Sequence, residues 1–226
     1  GLASVLYFDL QSLRGAEQLC SEPIERRETQ LEPGAEADGY VLIWEKPLTG
    51  DRYYIGCDTA DGKGEPLSYL GDIAGPDRHH AAIYRVSDHV QVAAIHGRQH
   101  EHAMARLLNE YGRYYNNALL GVENNRRAVL VALRELDYPN LYSVSKPTDQ
   151  HVMRQTGSAL RQTEYGWNTN EKSRDTLLSD FREAMDMRAV KPRDKMLFQE
   201  CMNFGYPIDR KSGQAAIKAE GLNGYH

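Results

Sequence analysis

The sequence predicts an α/β layer fold built on a mixed sheet, and three observations predict it. From residue 52 onward, short β-prone runs alternate with stretches of helical apolar spacing, the pattern of strands layered with helices. The first three of those strands, about 52–58, 81–87 and 89–96, follow one another with no helix between them, so part of the sheet is antiparallel. Two strands finish on a carboxylate, at Asp58 and at Glu123, where an apolar run would ordinarily pass into a neutral turn.

Taken in order, residues 1–45 read as an interdomain linker or extended arm and 46–226 as one domain. The stretch from Ser21 to Asp38 is charged, rich in Glu and Arg, and interrupted by Pro23 and Pro33. Tyr40-Val41-Leu42-Ile43-Trp44 is a short apolar run with strand character, and Pro47 to Asp51 is a turn. A strand over about 52–58 opens into a polar loop holding Gly62, Gly64, Pro66, Gly71, Gly75 and Pro76. The runs at 81–87 and 89–96, separated by Asp88, have the look of a hairpin. His100 to Tyr115 is helical, with Ala103, Leu107, Leu108, Tyr111 and Tyr115 on one stripe. A strand at 118–123 follows, then a helix from Arg126 to Asp137 that stops before Pro139. Asn140 to Val144 is a short strand, and Thr176 to Met187 and Lys195 to Phe204 are two further amphipathic helices.

Composition narrows the function classes. With 26% charged and 41% hydrophobic residues, the 226-residue chain is ordinary for a globular protein. No run reaches the roughly 18 apolar residues of a membrane span, and Gly1 to Leu10 lacks the basic n-region of a signal peptide. Cys20, Cys57 and Cys201 show no C-x-x-C spacing, which argues against a zinc knuckle or a disulfide framework and for a reducing cytoplasm. The formal net charge of −5 supplies no basic stripe, so any contact with nucleic acid is local and weak unless something else holds the strand.

The chemistry-bearing candidates are few. Asp58 alone reads equally as a turn former or helix cap. Glu123 is harder to explain that way, because glutamate is a poor strand residue and a carboxylate at the core edge is costly unless paired or metal-bound. Two strand-end carboxylates in one α/β sheet favour a shared site, since such sheets bind ligands beyond the carboxyl ends of their strands. Asp77 precedes the second strand and so returns near Asp58. Arg126 and Arg127 oppose the dipole at a helix start, which suggests either an anion in front of them or a solvated surface. Lys172 and Arg174 follow Gly166-Trp167-Asn168-Thr169, either touching a nucleic-acid backbone or decorating an ordinary capped helix start. Histidines cluster at His79-His80 and at His96, His100 and His102, but no H-E-x-x-H is present and the spacing argues against a histidine metal site. Neither a Walker A loop nor a G-x-S-x-G elbow occurs.

Taken together, these segments resemble the nuclease domain of the large terminase subunit of tailed bacteriophages. The matching pieces are Tyr40 to Pro47 with Gly50, Tyr53 to Ala60 with Gly62, Gly121-Val122-Glu123-Asn124-Asn125, Leu133 to Leu136 with Tyr138 to Tyr142, and Gly166-Trp167-Asn168-Thr169. Their order and spacing match over about residues 40–226. The resemblance implies a ribonuclease H-like fold, with a mixed sheet flanked by helices. It also implies a metal-dependent endonuclease that cuts concatemeric viral DNA during packaging, using two Mg²⁺ or Mn²⁺ ions held by three acids. Asp58 matches the first acid, Glu123 the second, and Asp77 an accessory acid. Gly224-Tyr225-His226 matches the lead-in to the third acid, which is expected just after His226 and is absent from this chain. The implied partners are double-stranded DNA, an N-terminal terminase ATPase domain, the portal and the small terminase subunit, in the host cytoplasm. Two alternatives share the fold: a catalytically silent docking module, and a nuclease of the junction resolvase or transposase type.

Overall fold

Six strands form the main sheet, in the order β2-β3-β6-β5-β4-β7: β2 (Glu25–Thr29), β3 (Gly39–Ile43), β4 (Tyr53–Asp58), β5 (His79–Arg85), β6 (Gln91–Gly97) and β7 (Leu119–Val122). Every neighbouring pair is antiparallel except β4 and β7, which run parallel, so the sheet is mixed as the strand order predicts. The structure is a computed structural model and describes residues 4–29, 39–59, 79–98, 100–124, 127–147, 161–208 and 219–221.

Side-chain alternation assigns the two faces of the sheet. On β4, Tyr53, Ile55 and Cys57 are buried on one face while Tyr54, Gly56 and Asp58 take the other. Two helices cover the first face: α2 (Glu101–Tyr114) and α3 (Arg127–Glu135). Their Met104, Leu108, Tyr111, Val129 and Leu133 pack with Ile55, Ile83 and Ile95 in one continuous core. Each such buried aliphatic side chain contributes about 1.5–3 kcal/mol relative to exposure. Every residue of β6 is buried, as befits a strand covered on both faces.

The second face meets the C-terminal region. His96 adjoins Ile95 on β6 and therefore points the other way; it is bonded to Asp194, the N-cap of α5 (Lys195–Met202). A second core lies there, in which Phe8, Leu13 and Ala16 meet Met185 and Cys201. It joins α1 (Leu10–Glu17) to α4 (Glu171–Asp186) and α5. Beside it, β1 (Ser4–Leu6), β10 (Phe204–Pro207) and β11 (Glu220–Gly221) form a small antiparallel sheet.

Several elements differ from the sequence expectation. Residues 1–45, expected to be a linker or arm, contribute β1, α1, β2 and β3, and the last two extend the main sheet. The charged run Glu25-Arg26-Arg27-Glu28 is the edge strand of that sheet, a place where charge guards against unwanted pairing. The strand expected at 140–144 is divided: Leu141 bridges Leu120 in parallel, whereas β8 (Ser143–Pro147) turns away to pair with β9 (Arg161–Tyr165). Helix α4 starts five residues before the expected Thr176, because Asn170 and Ser173 form a reciprocal capping box.

Candidate functional site

The parallel pair β4–β7 sets the geometry. Its register runs Tyr54↔Leu119, Ile55↔Leu120, Gly56↔Gly121 and Cys57↔Val122. One step further, Asp58 stands beside Glu123, and the Glu123 N–H donates to the Cys57 carbonyl at 3.0 Å. Both acids thus sit at the carboxyl ends of adjacent parallel strands, on the same face by strand parity. Asp58 is exposed and Glu123 half-buried.

Cross-strand pairing extends this line. Asp58 faces His80 on β5, His80 faces His96 on β6, and His96 faces Tyr40 on β3. A transverse row Glu123–Asp58–His80–His96–Tyr40 therefore crosses one face of the sheet.

The local electrostatics are negative. The Cys57 thiol is pushed well up from its usual range, first by burial and then by the charges of Asp58 and Glu123. After Asp58 in the chain, the Thr59 hydroxyl is buried without a hydrogen-bond partner among the described residues. Two carboxylates at an open strand end suit oxygen-preferring divalent cations.

Trp167 fixes the backbone around Glu123. Its N–H donates to the Val122 carbonyl at 2.8 Å, its own carbonyl accepts from Asn124 N at 2.7 Å, and Glu123 and Trp167 form a parallel bridge. Gly166 makes the approach possible. It has φ +83°, and a Cβ there would lie 2.7 Å from both the Val122 carbonyl oxygen and Leu130 Cδ1. The sequence marks Gly166-Trp167 as a helix lead-in; its backbone clamp on the Glu123 strand end was not legible from spacing.

The basic candidates are distributed. Arg127 is exposed in the first turn of α3, four residues after Glu123. Lys172 and Arg174 are exposed at the start of α4, and the Arg174 guanidinium lies 5.8 Å from the Phe204 ring centroid, toward the second core. Asp77, Arg126 and the position after His226 lie outside the described residues.

No protein-family profile matches the chain, and no curated protein does. Solved structures do. The large terminase nuclease of thermophilic phage G20c with bound cobalt superimposes with TM-score 0.58 and 15% identity over 96% of this chain and 93% of that one. The same nuclease with bound magnesium gives TM-score 0.57 and 16% identity over 93% and 88%. The large terminase nuclease domain of Thermus phage P74-26 gives TM-score 0.55 and 15% identity over 95% and 87%. The chain has the fold of these domains, a ribonuclease H-like mixed sheet flanked by helices.

Proposed function

We propose that this chain is a metal-dependent endodeoxyribonuclease that cuts concatemeric viral DNA during genome packaging, the nuclease domain of a large terminase subunit. One observation carries the reading: Asp58 and Glu123 end adjacent parallel strands in register and on one face. The fold shared with terminase nucleases supports it, as do the magnesium and cobalt bound by one of those proteins.

In this reading Asp58 and Glu123 hold two hard divalent ions, Mg²⁺ or Mn²⁺, with a third acid just after His226 and Asp77 as an accessory. Bound there, the ions supply Lewis acidity to the scissile phosphate and make an attacking hydroxide available near neutral pH. The chain's own part is positional. The Trp167 clamp fixes the Glu123 backbone, the β4–β7 ladder fixes Asp58 against it, and Arg126, Arg127, Lys172 and Arg174 offer contacts to DNA phosphates. The partners follow from the same reading: double-stranded DNA, an N-terminal ATPase domain, the portal and the small subunit, in the host cytoplasm. In this proposal residues 46–226 carry the nuclease site, and residues 1–45, which add β2 and β3 to the same sheet, connect it to the motor.

The test is plasmid cleavage. With Mn²⁺, supercoiled plasmid is expected to become nicked and linear, and Asp58→Asn or Glu123→Gln to slow this by about 10³-fold or more while leaving the fold intact. Undiminished cleavage by either variant overturns the assignment. Preference for a branched junction over linear duplex would instead favour a resolvase.

A further inference from the structure

We propose that His80, His96 and Asp194 form a second metal site, selective for a borderline transition ion such as Zn²⁺, that staples α5 to the main sheet. The ligand atoms of the three residues lie within 4.8 Å of one another. They come from three separate elements: β5, β6 and the N-cap of α5. The proposal does not rest on the nuclease reading, because neither Asp58 nor Glu123 is among its ligands.

The donors are built in. His96 is 2% exposed and Asp194 3%, and His96 Nε2 is 2.6 Å from Asp194 Oδ2. The half-buried His80 turns its Nε2 inward: that atom is buried, has no hydrogen-bond partner among the described residues, and stands 3.9 Å from the same Oδ2. The two imidazole rings are 4.6 Å apart between centroids. A buried imidazole nitrogen without a partner is costly in a folded protein, and coordination of a metal ion by its lone pair satisfies it.

Supporting contacts fix the carboxylate. Asp194 Oδ1 accepts from Met196 N at 2.9 Å, which leaves Oδ2 aimed at the histidines. The fully buried Gln91 side chain accepts from the backbone N–H groups of Arg193 and Asp194 at 2.8 and 3.0 Å, anchoring the N-cap to β6. Ligands oriented in this way by outer groups are characteristic of metal centres.

The donor set decides the ion. Two imidazole nitrogens and one carboxylate oxygen suit Zn²⁺ or Co²⁺, whereas Mg²⁺ prefers six oxygens. At Zn–ligand bonds of about 2.0–2.1 Å, tetrahedral donors stand about 3.3 Å apart. Metal binding draws His80 Nε2 in from 3.9 Å, widens the 2.6 Å contact of His96 with Asp194 to about 3.3 Å, and releases the proton between those two groups. Three protein ligands leave a fourth position for water.

The experiment titrates Co²⁺ into the full chain carrying Asp58→Asn and Glu123→Gln, so that the strand-end carboxylates do not compete. The expected result is one equivalent of Co²⁺ with the intense visible bands of four-coordinate cobalt, displaced by Zn²⁺ and unaffected by equal Mg²⁺. Adding His80→Gln is expected to weaken binding at least about tenfold, since loss of a ligand costs no less than loss of an outer-shell partner. Octahedral cobalt spectra, displacement by Mg²⁺, or unchanged affinity in the His80→Gln chain would each overturn the proposal. Should that variant unfold, imidazole ¹⁵N shifts of the unsubstituted protein decide: Zn²⁺ must move the Nε2 signals of both His80 and His96 to values of ligated nitrogen, and failure to do so for either refutes it.

Discussion

Single residues set the working end of the sheet, and their legibility varied for physical reasons. Asp58 and Glu123 were visible in the sequence because an apolar run that ends on a carboxylate breaks the usual strand-to-turn chemistry. Their mutual register was not visible, since it depends on a parallel pairing across 65 residues of chain. His80 and His96 were noticed as clustered histidines and set aside as a metal site, and their meeting with Asp194 was invisible for the same reason. Spacing along one helix or loop cannot report a pairing of β5 with β6, or a helix cap that arrives almost a hundred residues later. Gly166 illustrates the opposite limit: the residue was noticed, but its left-handed backbone was not. Because φ is +83° and a Cβ would meet a carbonyl oxygen and Leu130 Cδ1, both at 2.7 Å, Gly166→Ala should be strongly destabilising. We expect a loss of about 2–4 kcal/mol in urea unfolding, from backbone strain plus overpacking. A loss below about 0.5 kcal/mol, within the range of neutral surface changes, would show that the clamp relaxes freely.

Elements, in turn, are joined by polar contacts that sequence periodicity does not reveal. The alternation of β4 and the helical stripe of α2 were readable because each buries one face against a single neighbour. The charged β2 was read as part of a linker, because an edge strand keeps its charge and offers no apolar alternation. Glu45, just beyond β3, ties three regions together: Oε2 to Arg85 Nη1 of β5 at 2.6 Å, and Oε1 to Arg193 Nη2, next to the α5 cap, at 2.6 Å. Burial acts to raise the Glu45 pKa, but the hydrogen bonds from Arg85 and Arg193 outweigh it and hold the carboxyl below its ordinary 4.5. A depressed folded-state pKa contributes stability that is present above the unfolded value and lost as pH falls through the folded one. Native protein should therefore exceed Glu45→Gln in melting temperature at pH 7, and the gap should narrow below pH 4.5. A gap that stayed constant from pH 7 to pH 3 would mean that the carboxylate charge contributes nothing.

At the scale of the whole molecule, two cores meet across a polar seam. The first unites the sheet with α2 and α3; the second unites α1, α4 and α5, whose parts come from opposite ends of the described chain. Between them lie Gln91, His96, Asp194, Arg193 and Glu45, bonded to one another and to backbone, and the two apolar clusters share no residue. Apolar burial is what couples packed units into one cooperative transition, so the two cores should open separately when either is weakened. Leu13→Ala tests this. Leu13 is 0% exposed at the centre of the second core, and its truncation should cost that core about 2–5 kcal/mol. By hydrogen exchange, amides of α5 and of β10, which pairs with β1, should lose protection, while those of Ile83, Ala94 and Ile95 in the central strands should keep theirs. Equal loss of protection in both regions would mean that the hydrogen bonds of the seam alone suffice to make the molecule one cooperative unit.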